Sequence, residues 1–426
     1  MDKEKFISKR RTFKDAWAFI LYLIYTIGCN SWLIMLKMES KATFFNLNYQ
    51  LLSVLTISTL IIIILYFLMF AFFCEITMKA SVFFFPIAQF VRLCLLSEKK
   101  PSEVYFAIFS IMFSIGVIYL YWRQIPVVSK VLSYTTRICL NHFSSCLFGI
   151  AICSLVQIFQ IFITYSVMLS LDAKRSTIVL YAVFLNLFWT LANFSYFFKV
   201  YISSLVAFHF INSGAKVFND SMKNAMYALG SISFGGLIMA LIKTCDVIVQ
   251  NERNGSDEDR NVFSKILMKI LSFFFRHIIH FIEFANEFSM SYIAVHGCGY
   301  KEAVIESFKL IKGTSSIALG GLVLIKMMLG IFSLIMMCVT FALSYYIVGQ
   351  NIKFDFNDHL FLFSFISTIV GCCVVYYVTM STIVSSYLGL VFLYIEQPSL
   401  ISDMNPDIAS ALQKPISDAN ASEVEQ

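Results

Sequence analysis

Apolar runs long enough to cross a lipid bilayer recur from one end of this chain to the other, and nothing else in the sequence restricts its fold as strongly. The first, Ala16 to Leu36, is 21 residues without a charge, and a transmembrane helix needs about 20. Leu51 to Phe73 follows, including Ile61 to Leu65, a run no water-facing surface carries. Ser81 to Leu96 is weaker, interrupted by Pro86 and Arg92, and reads either as a kinked, bundle-facing helix or as one lying in the interface. Val104 to Trp122 ends in Tyr121 and Trp122, an aromatic pair suited to headgroup level. Phe143 to Met168, Thr177 to Phe210, Ser221 to Val249, the run after Phe263, Ile317 to Val348 and Phe361 to Glu396 complete ten candidate spans. The expected fold is an all-α polytopic membrane protein of about ten transmembrane helices, some kinked or discontinuous.

Composition excludes the soluble alternatives. Charged residues are 14% of the 426 and hydrophobic residues 59%, against about 25% charged in soluble domains. The net charge of +6 sits mainly beside the spans, leaving no basic domain for nucleic acid. Eleven cysteines lie scattered, mostly in apolar stretches and without a CxxC pair, so they read as reduced packing residues with no disulfide framework and no metal site. HExxH, GxSxG, paired-Asp phosphotransfer and P-loop motifs are missing from the sequence, so an enzyme, a bound cofactor and ATP-driven transport are not expected.

Charge at the ends sets the expected orientation. Lys3, Lys5, Lys9, Arg10, Arg11 and Lys14 make residues 1–15 a basic cytosolic N-terminus, followed by an uncleaved first span. Residues 16–396 form the transmembrane domain. The tail 397–426, with Pro398, Pro406, Pro415 and five acidic residues, reads as disordered and, with ten spans, as cytosolic. The Asn254-Gly255-Ser256 sequon tests this sidedness, because only a lumenal loop is glycosylated. Arg123, Lys130 and Arg137 recur every seven residues among Ile125, Val128, Val131 and Leu132, the pattern of an amphipathic cytosolic helix lying on the membrane.

Polar residues inside the apolar runs mark the candidate site. Thr177 to Phe210 is 34 residues broken only by Lys199, and Trp189, Asn193, Tyr196 and Phe197 share one side of it. Gly230, Ser231, Ser233, Gly235 and Gly236 fall within seven residues. Either the glycines allow close helix packing or they break the helix at a substrate site. No proline occurs from Val127 to Gln397, so any break there must come from Gly and Ser. Lys265, Lys269, Ser272, Arg276, His280, Glu283 and Glu287 trace one wet stripe at helical spacing. Glu283 and Glu287 read either as a solvated face or as a cation-attracting mouth. His277 and His280 read as headgroup contacts, and Lys326, mid-span, requires a partner or a cavity.

Four blocks carry a family resemblance. Tyr227-Ala228-Leu229-Gly230-Ser231-Ile232-Ser233-Phe234-Gly235 resembles the signature of the choline-transporter-like family (solute carrier family 44 type), in which a Gly-Ser-small-x-x-Gly run opens a late span. Lys14-Asp15-Ala16-Trp17 with Gly28 is similar to the family's basic, Asp and Trp start of span one. Phe284 to Gly297, followed by Ala303, resembles its Asn-x-x-Ala-Tyr-x-x-Ala-Ile-x-Gly segment, and Lys326 matches a lysine of its ninth span. The large domain usual between spans one and two is reduced to Lys37 to Gln50, and Thr382 to Leu393 lacks the final span's acid. Both departures place the resemblance in the short-loop, fungal branch.

The resemblance implies a plasma-membrane transporter of choline or a related small organic cation such as ethanolamine, with endomembranes the other location. A quaternary ammonium is held by aromatic faces at roughly 0.5 to 2 kcal/mol each. Trp189, Tyr196, Tyr227 and Tyr292 are the expected cage, with Asn193, Ser231 and Ser233 for the substrate hydroxyl and Glu283 and Glu287 steering cations at a cytosolic mouth. Membrane lipids are the other expected partners; no nucleic acid is expected, and no protein partner is inferable. The competing reading is a lipid-handling, scramblase-like or structural membrane protein that moves no solute.

Overall fold

The computed structural model describes residues 12–39, 49–95, 101–170, 177–211, 216–254, 262–351 and 359–413. They form α1 (Ala16–Glu39), α2 (Tyr49–Phe72), α3 (Cys74–Leu95), α4 (Pro101–Tyr121), α5 (Ile125–Asn141), α6 (Phe143–Ser170), α7 (Thr177–Ile211), α8 (Lys216–Tyr227), α9 (Leu229–Asn254), α10 (Val262–His296), α11 (Tyr300–Asn351), α12 (His359–Glu396), α13 (Pro398–Met404) and α14 (406–413). No strand occurs among them. The protein is an all-α, multi-pass membrane protein. Among the described residues seven helices are long and apolar enough to cross a bilayer, within α1, α3, α6, α7, α9, α11 and α12, and α2 and α4 carry shorter apolar segments. The weak span is among the seven because α3 begins at Cys74, ahead of the expected Ser81, and runs through Pro86. Residues 1–11, most of the sequon and residues 414–426 lie outside the described residues, as do the side chains of Lys265 and Lys269.

The chain divides into two compact units. The first takes Met1–Asn46 and Ser144–Lys309, and the second Leu47–Phe143 and Leu310–Gln426. In the first, α7 is the centre, packing on α1, α8, α9 and α10. Burial reflects this, at 78% of the apolar window of α7 against 17% for α1. With lipid as apolar as leucine, such packing needs small residues or polar pairs between helices, and α7 has both.

In the second unit α5 packs on α2, α3 and α12. Its apolar residues Val128, Val131, Leu132 and Ile138 are buried, so the face expected to rest on lipid packs on protein instead, while Lys130 and Arg137 on the opposite side stay exposed. Its hydroxyls are buried without penalty because Ser129, Thr135 and Thr136 donate to carbonyls three or four residues back. The Ser133 hydroxyl (2.5 Å) and Arg137 Nε (3.2 Å) both donate to the Ala71 carbonyl, satisfying an orphan acceptor at the C-terminus of α2. The described part of the tail, up to residue 413, also departs from expectation. Helices α13 and α14 bury Leu400, Ile401, Ile408 and Leu412, and the Tyr394 hydroxyl donates to the Ala409 carbonyl at 3.2 Å.

Candidate functional site

Helix α7 carries a polar stripe along its buried side: Asn186, Thr190, Asn193, Tyr196, Lys199 and Ser203. The steps of three and four residues keep it on one face. At 1.5 Å per residue it runs roughly 25 Å, most of a hydrocarbon core of about 30 Å.

Polar groups of neighbouring helices meet this stripe level by level. At one end Asn186 Nδ2 donates to Asn30 Oδ1 at 2.7 Å, and Asn30 and Gln160 exchange amide bonds of 3.2 Å. Next, Tyr22 places its hydroxyl among Thr26, Thr190 and Asn193. The Trp189 ring packs against Tyr22 and Tyr25, with centroids 5.4 and 5.7 Å away. Trp189 Nε1 donates to the Ser233 carbonyl at 3.0 Å and Asn193 Nδ2 to the Ser233 hydroxyl at 3.4 Å. Further along, the Tyr300 hydroxyl donates to Asn286 Oδ1 at 2.6 Å, and Asn286 Nδ2 to the Tyr196 hydroxyl at 2.9 Å. Burial pushes the Tyr300 hydroxyl up to about 12, so it keeps its proton and the chain of donors has one direction. Lys199 Nζ lies 3.4 Å from Glu287 Oε1 and 5.5 Å from the Tyr196 ring centroid. Ser203 donates to Ser291 at 3.2 Å, and Asn224 holds Ser204 (2.5 Å) and the Ala294 carbonyl (2.7 Å).

The glycines explain how α9 comes so near. A Cβ on Gly236 would collide with Asn193 Oδ1 and lie 3.4 Å from Trp189. One on Gly235 would lie 2.6 Å from the Tyr300 ring, and one on Gly230 would strike the backbone of Lys14 and Asp15. The chain does break, but at Ala228, between α8 and α9, ahead of all three glycines. At Gly230, Gly235 and Gly236 the geometry is close packing.

Asp15 closes this end. It sits at φ 52, just before α1, and its Oδ2 accepts from the Ser231 hydroxyl at 2.8 Å and from Tyr300 N at 2.9 Å. One carboxylate thereby ties the start of α9 to the N-terminus of α11, where a negative charge also suits the helix dipole.

The expected cage is not one site. Trp189, Asn193 and Ser233 come together, and Tyr196 lies one level on. Tyr292 neighbours Ser291, whose partner Ser203 is fourteen residues from Trp189, roughly 21 Å along α7. The Tyr292 ring stacks on His296 instead, with centroids 3.9 Å apart. Tyr227 is 46% exposed and lines a small cleft with Thr12, Lys14, Asn224 and Cys298. Ser231 turns to Asp15. Glu283 pairs with Lys243 at 2.8 Å and is half-exposed, whereas Glu287 is nearly sealed with Lys199. Lys326 is exposed on α11, as are His277 and His280 on α10. The residues the sequence reading missed are Tyr22, Tyr25, Asn286 and Tyr300. A signal existed for Lys199: opposite charges in two apolar helices are a pair to look for.

Among the described residues no group of three His, Cys, Asp or Glu is placed to hold a metal ion. Comparison with known sequences supplies the deciding observation. A family profile described as "Plasma-membrane choline transporter" matches residues 104–397, more than two thirds of the chain. The chain belongs to the choline transporter family. The protein is also similar to Protein PNS1 of Candida albicans, 30% identical over 127 residues, covering 30% of this chain and 24% of that protein. Protein PNS1 of Saccharomyces cerevisiae is 30% identical over 162 residues, covering 36% of this chain and 30% of that protein. The matched segments thus span less than a third of either relative's length. In this choline transporter family member the profile covers the α7 stripe with its partners on α9, α10 and α11, while Tyr22, Tyr25 and Asp15 precede it.

Proposed function

We propose that this protein carries choline or a related small organic cation across the plasma membrane, with both chain ends in the cytosol and the polar side of α7 as the route. The observation that carries the reading is the stripe itself, whose hydroxyl, amide and aromatic groups are buried inside a membrane protein over nearly the thickness of its hydrocarbon core. Membership of a transporter family supports it. Trp189, Tyr22, Tyr25 and Tyr196 offer ring faces to an ammonium, and Asn193 and Ser233 offer amide and hydroxyl groups to an alcohol. Glu283, half-exposed beside Lys243, is placed to steer cations at the mouth. Flux follows the gradient and the membrane potential, worth about 2.3 kcal/mol per charge per 100 mV.

Purified protein in proteoliposomes should take up labelled choline saturably, and faster with a negative interior. If no choline moves at any imposed potential while fluorescent lipids exchange between leaflets, transport is wrong and the protein handles lipid.

A further inference from the structure

We infer that the Glu287 carboxylate and the Tyr196 ring form the subsite for the ammonium group of the transported cation, and that Lys199 is its resident occupant, a tethered ammonium that substrate displaces. The inference rests on the transport reading above and names the charged part of that site.

Lys199 already occupies the environment such a ligand needs. Its Nζ has a carboxylate oxygen at 3.4 Å on one side and a ring centroid at 5.5 Å on the other, the two features that recognise an organic cation. The pair is sealed, with side-chain exposures of 7% and 13%, yet it is looser than the exposed Lys79–Glu75 and Lys243–Glu283 pairs at 2.6 and 2.8 Å. A charge-assisted N–H···O bond closes to about 2.7 to 2.9 Å when geometry allows. The carboxylate and ring therefore already hold an ammonium between them, without the carboxylate closing on it fully.

The frame does not depend on its occupant. Tyr196 is oriented through its hydroxyl by Asn286, and Asn286 by Tyr300, while Lys199 reaches the site on four flexible methylenes. Structural economy does not explain the pair, because buried ion pairs are often matched or bettered by apolar residues of similar size. A resident ammonium does have a transport role. It keeps the empty site neutral and withholds the carboxylate from inorganic cations, so that only a ligand with further contacts along α7 displaces it.

The test measures labelled choline binding and uptake by the reconstituted native chain, by Lys199→Met and by Lys199→Met/Glu287→Gln. Removing the competing occupant should tighten choline binding by about tenfold or more and slow maximal uptake, since nothing then expels the ligand. The uncharged double variant should keep the native melting temperature yet bind choline about tenfold or more weakly. A double variant with native KM would overturn the inference, and so would Lys199→Met with native affinity. Should Lys199→Met fail to fold, the double variant decides alone. Native protein that binds no choline would instead overturn the transport reading itself, and the inference with it.

Discussion

At the scale of single residues, α7 and α9 meet through contacts with little space for an extra atom. Gly236→Ala should destabilise the protein by about 1 to 2 kcal/mol, because an overpacking cost of about 1 to 3 kcal/mol exceeds the gain in helix propensity of up to about 1. Its new methyl strikes the Asn193 Oδ1 and forces that amide to shift from its place beside Ser233, while it meets Trp189 at ordinary contact distance. Gly28→Ala is the matched control: a Cβ there meets nothing within 4 Å, so it should be neutral or stabilise by up to about 1 kcal/mol. Thermal melts in detergent of the two variants should therefore move apart. Cys298 gives a chemical counterpart. Burial first, then the charge of Glu302, push its thiol up to about 12. A raised thiol pKa withholds the thiolate until high pH, so at pH 8 alkylation of Cys298 should run about a thousandfold slower than for an ordinary thiol and rise tenfold per pH unit; peptide mapping after iodoacetamide reads this directly. Spacing made Trp189, Asn193 and Tyr196 legible as one side of a helix. Their partners Tyr22, Asn286 and Tyr300 were not, since local periodicity carries no information about which distant helix a side chain will meet.

Among the helices, the apolar runs were readable because length and composition alone decide whether a helix spans. What sequence misplaced was the company each helix keeps. The stripe of α5 has the same period whether its apolar face meets lipid or protein, and only packing on α2, α3 and α12 distinguishes the two. The described part of the tail misled through Pro398 and Pro406, which sit at the starts of α13 and α14, where the missing N–H costs nothing. The tie made by Asp15 also belongs here, because it joins the entrance of α1 to the first turns of α9 and α11. Asp15→Ala should cost about 1 to 2 kcal/mol, as expected for a lost helix cap. The segment around Lys14 should also become accessible to protease; an unchanged melt and cleavage pattern would dismiss the tie.

For the whole molecule, the polar stripe and its partners all belong to the unit built from Met1–Asn46 and Ser144–Lys309, so the proposed route lies within one identifiable part of the fold. The claim most exposed to test is that the cation passes the Trp189 level of α7. Labelled choline uptake into proteoliposomes should be compared for the native chain, Trp189→Ala and Tyr227→Ala, reading KM because it does not depend on the amount of folded protein. Loss of one ring contact worth about 0.5 to 2 kcal/mol should raise KM roughly 2- to 30-fold in Trp189→Ala, with Tyr227→Ala unchanged. An unaltered KM in Trp189→Ala alongside a raised one in Tyr227→Ala would contradict the account and move the route to the exposed cleft beside α8.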